Sequence, residues 1–158
     1  MRSQPIQTGM AEAEAEAELV LTIAVGGQAC GVPVLAVRDV LGAQSITPIP
    51  LAAAEIEGAM NLRGRIVTAV DLRRRLALPA REKAAQPMSV VVEHGGELYA
   101  MLADAVGDVV PLQASERDGN PPTLDPLWRD VSRGVHQRDG QLLILLDVDR
   151  VLAIGGDR

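Results

Sequence analysis

A chain of 158 residues has room for one ordinary domain, or two very small ones sharing a core, and excludes a large multidomain enzyme. With 47% hydrophobic and 23% charged residues it should fold; one Trp, one Tyr and no Phe leave the core to Val, Leu, Ile, Ala and Met, and a base-stacking nucleic-acid platform is not expected. The net charge of -6 repels phosphate backbones and anionic lipid, so neither nucleic acid nor bare membrane is an expected partner.

Residues 1–18 carry a Pro, a Gly and the Ala/Glu alternation Ala11 through Glu18, with Glu12 and Glu16 one helical turn apart. Like charges at that spacing oppose a helix, so the segment reads as a disordered, solvated tail, the alternative being a short helix formed on a partner. No basic segment followed by an apolar one opens the chain, and no apolar run spans a bilayer, so neither export nor membrane insertion is expected.

From Leu19 the pattern becomes strand, turn, strand: Leu19, Leu21, Ile23 and Val25 alternate, Gly26-Gly27 breaks the run, and Val32, Val34 and Val37 follow. Pro48 and Pro50 force an edge or a loop. Ile56 to Leu62 leads into a tight turn at Arg63-Gly64, and Arg65 to Val70 is strand-like. Asp71 is placed to cap a short helix, Leu72 to Leu76, ahead of Pro79. Pro79 to Pro87 reads as a connection. Met88 to Val92 and Leu98 to Leu102 flank the hairpin signature Glu93-His94-Gly95-Gly96-Glu97. Val106, Val109 and Val110 continue as strand to Pro111, Ser115 to Pro126 is a loop, Leu142 to Leu146 is a buried strand, and a short helix from Val148 to Ile154 closes the chain.

The two halves resemble each other. Gly26-Gly27 through Val40 lies over Gly95-Gly96 through Val109 without a gap, placing Cys30 on Tyr99 and Asp39 on Asp108. Val67 to Leu72 lies over Leu143 to Val148, so each half ends in an Asp ahead of a short helix. Short strands without long helices indicate small barrels, and about 70 residues per half suffice to close one. The expected fold is all-β: two similar barrels packed together, with a groove between them.

Enzyme chemistry finds little support. There is no G-x-S-x-G elbow and no phosphate-cradling glycine motif, and Cys30, in a strand region, reads as a small core residue. A single cysteine makes no internal disulfide, zinc cage or redox pair, which suits a reducing cytoplasm. His94 and His136 lack metal-ligand spacing and read as solvated, and Asp104, Asp108 and Asp149 read as surface charges. No metal or cofactor is expected. The stretch Gly58-Ala59-Met60-Asn61-Leu62-Arg63-Gly64 leaves two readings open: a solvated hairpin tip, or an exposed guanidinium fork suited to a carboxylate on another protein.

At this stretch the chain resembles the CheW family, the adaptor domain of bacterial chemosensory arrays. The matching features run in order: Gly31-Val32-Pro33-Val34 and Val37-Arg38-Asp39-Val40 after the Gly-Gly hairpin; Ile49-Pro50; Ile56-Glu57-Gly58 with Asn61-Leu62-Arg63-Gly64; Val70-Asp71-Leu72-Arg73; Ala103-Asp104-Ala105-Val106; and Leu145-Leu146-Asp147. The resemblance runs from about Leu19 to Ile154, and the expected domain is 19–155. It implies two intertwined, five-stranded, SH3-like barrels with short capping helices, and a non-catalytic cytoplasmic adaptor recruited to membrane-anchored receptor arrays. Such an adaptor binds the cytoplasmic tips of chemoreceptors and the regulatory domain of the CheA histidine kinase. The positions matching the family's partner-binding residues are Val37, Asp39, Gly58, Arg63, Gly64, Val106, Val109 and Gly134. The chain departs from the family at Cys30, where an aromatic is common, and at Asp39, where Glu is common. Alternatives are an adaptor of another chemosensory system, such as one controlling type IV pili, and a barrel that binds a small ligand in its groove.

Overall fold

The computed structural model describes residues 17–82 and 84–154. β1 (Ala17–Val25) and β2 (Gln28–Pro33) form a hairpin across Gly26 and Gly27, whose φ angles of 59° and 83° are those of a two-residue turn matched to strand twist. A 3-10 turn at Val34–Ala36 then interrupts what alternation reads as one strand, and β3 (Val37–Leu41) starts in a different sheet. β4 (Ile56–Leu62) and β5 (Arg65–Asp71) make the next hairpin, followed by α1 (Leu72–Arg75). Asp71 caps α1 as expected, its carboxylate accepting the Arg73 N–H at 3.0 Å.

The second half repeats the order with β6 (Met88–His94), β7 (Glu97–Ala103), β8 (Ala105–Gln113), α2 (Pro126–Val131), β9 (Ser132–Arg138), β10 (Gln141–Leu146) and α3 (Val148–Val151). α2 and β9 are additions to the elements expected from sequence. Pro111 lies inside β8, an edge strand, which is where a sheet tolerates proline. The expected tail lies outside the described residues except for Ala17 and Glu18, which open β1.

Two five-stranded sheets result, in the orders β8-β1-β2-β10-β9 and β3-β6-β7-β5-β4, here the first and second barrels. The repeat is real in three dimensions, but neither half closes a barrel alone. Each half lends its first hairpin to one sheet and its remaining strands to the other, so β1 and β2 sit between β8 and β10, and β6 and β7 between β3 and β5. The equivalence holds residue by residue. Cys30 pairs in parallel with Ile144 where Tyr99 pairs with Thr68, and the ladders slip at matching places, on β8 between Val106 and Val109 against β1 and on β3 between Val37 and Asp39 against β6.

The central strands are apolar on both faces because each face meets a different core. Val20, Val110, Leu112, Leu143 and Leu145 fill the first barrel. Met60, Val67, Val91, Leu98 and Leu102 fill the second. Between the barrels lies the largest cluster, where Ile23, Cys30 and Ile144 from one sheet meet Val70, Val92 and Met101 from the other. Trp128 and Val131 of α2 and Val151 of α3 cover its end. Cys30 is thus the small core residue expected, and burial pushes its thiol well above the ordinary range.

Candidate partner-binding site

The β4–β5 hairpin shows why its turn sequence has this form. Arg63 and Gly64 occupy the two turn positions with φ of 54° and 86°, and the Asn61 side-chain oxygen accepts the Gly64 N–H at 2.9 Å. Leu62 packs on the second barrel's core. The turn therefore points Arg63 outward, with 77% of its side chain exposed. Its guanidinium lies 3.4 Å from the carboxylate of Asp39 on β3, whose other oxygen accepts the Val40 N–H at 2.9 Å. Arg38, Glu93 and Leu98 complete a shallow depression of about 200 Å³ here, and Arg38 is held by Glu93 at 3.3 Å and by the Leu35 carbonyl at 3.1 Å.

Such an end can receive a carboxylate. Arg63 keeps a planar donor fork in water, steadied by one loose ion pair that costs little to exchange. Ile66, 68% exposed, supplies an apolar neighbour on the adjoining strand.

The structure brings Asp39, Arg63 and Gly64 together and places the other matching positions elsewhere. Val37, on the strand of Asp39, and Val106, its counterpart on β8, each lean on the cluster shared by the barrels. Val109 is 51% exposed on the outer edge of the first barrel, near the similarly exposed Leu19, so this apolar face runs out onto the surface. Gly58 and Gly134 are buried, each against the backbone of a crossing loop, and present no side-chain surface.

Three polar residues differ from their sequence reading. His136 is 3% exposed inside β9, because Gly134, Val135 and His136 all turn from solvent where the strand crosses the first barrel. His94 is half-buried and meets Asp149 of α3 at 2.9 Å. Asp104 is not a free surface charge. Its carboxylate takes two bonds from Arg73 at 2.8 and 2.9 Å, one from Arg81 at 3.0 Å and one from the Gly26 N–H at 2.7 Å. Burial opposes its ionisation, yet these donors outweigh burial and hold the carboxyl down at about 2. Asp104 thus ties the β1–β2 turn, α1 and the connection after α1 to one point. The available signal was the pair of arginines, one just after the Asp71 cap and one beyond Pro79, but spacing does not reveal a partner from another sheet.

The profile of the CheW-like domain matches residues 19–154. "Chemotaxis protein CheW" of Rhizobium meliloti is 30% identical over 132 residues, covering 84% of this chain and 85% of that protein. The protein of the same name from Thermotoga maritima is 30% identical over 133 residues, covering 84% and 86%. Among solved structures, the scaffolding protein TtCheW from Thermoanaerobacter tengcongensis superimposes with a TM-score of 0.78 at 26% identity, over 89% of this chain and 95% of that one.

Proposed function

Because the chain belongs to the CheW-like domain family, a family of chemotaxis scaffold proteins, we propose that it is a non-catalytic adaptor coupling the cytoplasmic tips of chemoreceptors to the regulatory domain of a CheA-type histidine kinase. The observation that carries this reading is the exposed Arg63 fork beside Asp39, presented by the β4–β5 hairpin, whose turn is held by Asn61. A receptor helix carrying a carboxylate exchanges with Asp39 on Arg63 while its apolar residues cover Val37, Val106 and Val109. Holding two partners in fixed geometry transmits a signal only if the adaptor contacts the two kinase states differently, and modest contacts rimmed by single charges suit that task. No helix among the described residues is long and apolar enough to cross a membrane, so recruitment to the array rests on the receptors.

Kinase autophosphorylation with receptor-containing membranes tests the reading, with wild-type protein, Arg63→Ala and no adaptor compared side by side. Activation by the wild type alone supports both the function and the residue. If neither protein changes activity or co-sediments with receptor and kinase, the adaptor reading is wrong.

A further inference from the structure

The two barrels are built on one plan, so a place where they differ is informative. At one mouth of the first barrel Arg133 clasps Glu18 through two bonds of 2.9 and 3.0 Å, and Val20 behind the clasp is fully buried. The strand registers put Ser89 at the place of Val20: Val20 pairs with Val110 and Pro33, Ser89 with their counterparts Leu41 and Leu102. The clasp is not repeated there. Pro87 stands where the first barrel has Glu18, and Glu57, where it has Arg133, turns instead to Arg74 at 2.7 Å.

What remains is a cavity of about 410 Å³ at the mouth of the second barrel, roofed by the connection that follows α1. Arg81 pins that roof through Asp71 at 3.1 Å and Asp104 at 3.0 Å. Ile46, Leu78 and Leu102 give the cavity an apolar wall, and Gln44, Gln86 and Ser89 give it hydrogen-bonding groups. Ser89 is 1% exposed and lines this space, and among the described residues nothing hydrogen-bonds its hydroxyl, which still touches solvent, since no buried side-chain polar atom among them is left unpaired. A ligand hydroxyl or amide would exchange with water on this oxygen. The described charges on the wall are already matched, Glu57 with Arg74 and Asp71 with both Arg74 and Arg81, so none of these is left over for an ionic guest.

We propose that this barrel mouth binds a small uncharged organic molecule with a hydroxyl or amide group on an aliphatic body, the polar group meeting Ser89 and the glutamines and the body lying on Ile46, Leu78 and Leu102. The volume is that of small-ligand sites. This site is separate from the Arg63 end and does not depend on the adaptor reading.

Amide-resolved NMR titration of the full chain tests it, with hexane-1,2-diol and pentanamide as probes and pentanoate and pentylammonium as ionic counterparts. The neutral probes should shift the amides of Gln44, Ser89 and Leu102 saturably and the ions should not. Ser89→Ala should weaken binding about 5- to 10-fold by removing one hydrogen bond. Ser89→Val, which copies the closed barrel, should abolish binding while the remaining spectrum stays dispersed. The proposal is overturned if no saturable shift appears at these amides, if the ions bind equally well, or if Ser89→Ala binds as the wild type does.

Discussion

Gly58 and Gly134 stand at the same bulge of the two barrels, and each has the carbonyl of a crossing loop where a side chain would go. Gly58 pairs with Ala69 and Gly134 with Leu145, at φ of 154° and 136°. Beside each, a loop makes a two-way backbone bridge: Thr47 with Ala59 at 2.8 Å both ways, Asp118 with Val135 at 2.8 and 2.9 Å. A Cβ on Gly58 would collide with the Thr47 carbonyl oxygen, and one on Gly134 would lie 2.8 Å from that of Asp118. Both glycines therefore hold long loops onto their barrels.

Gly58→Ala and Gly134→Ala should each lower stability by about 2–4 kcal/mol, since backbone must move in addition to the strained φ. Gly64→Ala meets nothing within 4 Å and bears only the cost of its left-handed conformation, about 1 kcal/mol. Urea denaturation of the three variants checks this ordering. Equal losses would mean that the loop carbonyls are not what excludes a side chain.

Acid should release Asp104. Its folded value of about 2 is below the ordinary 3.8, so ionisation stabilises the fold above the unfolded value, and that contribution fades as pH falls from about 4 through 2. The shift corresponds to about 2 kcal/mol. Asp104→Asn should cost at least that at pH 7, because Arg73 and Arg81 lose their counter-charge, and the gap between variant and wild type should close on titration to pH 2. A gap independent of pH would show that shape, not charge, is what Asp104 supplies. Glu18, held below the ordinary carboxylate range by its bonds from Arg133, adds to acid sensitivity with the same sign.

The strands and the repeat were legible because alternation and paired glycines report local geometry. Gly26-Gly27 and Gly95-Gly96 set both hairpins, and the gapless alignment through Asp39 and Asp108 anticipated the common register seen in space. The exchange of hairpins between sheets was not legible from periodicity, since a strand's pattern says that it is buried and not which strand lies beside it; it entered only through the family resemblance. β9 was missed because Ser132 to Arg138 is polar in composition, with Gly134 and His136 taking interior places that pattern reading assigns to Val or Leu. The start of α2 had a signal that went unread: Asp125 caps and Pro126 fills the first helical position, where Pro is favoured. At the candidate site the hairpin tip was readable from Asn61 to Gly64, whereas the Arg63–Asp39 pair joins β3 to a turn between strands on the far edge of the sheet.

Cys30 should be chemically silent in the native protein. It is fully buried in the cluster between the barrels, and the neutral thiol is favoured there. Modification by a chromogenic disulfide at pH 8 should proceed only through opening of that cluster, and so accelerate steeply as urea approaches the unfolding transition. A native rate within tenfold of the unfolded rate would contradict the packing described.

Arg63→Ala offers a separation of function from stability. The Arg63–Asp39 contact is long at 3.4 Å and one partner is 77% exposed, so its loss should change stability by less than about 1 kcal/mol. If the guanidinium fork engages a receptor carboxylate, the same substitution should abolish most receptor co-sedimentation and kinase activation. Arg63→Lys retains the charge but not the fork, and should restore only a minor part of the activity. Full restoration by Lys would reduce the role of Arg63 to long-range charge, which would also make the coupling strongly salt-dependent. A large stability loss in Arg63→Ala would instead assign the residue to holding the β4–β5 turn, and its effect on signalling would then be indirect.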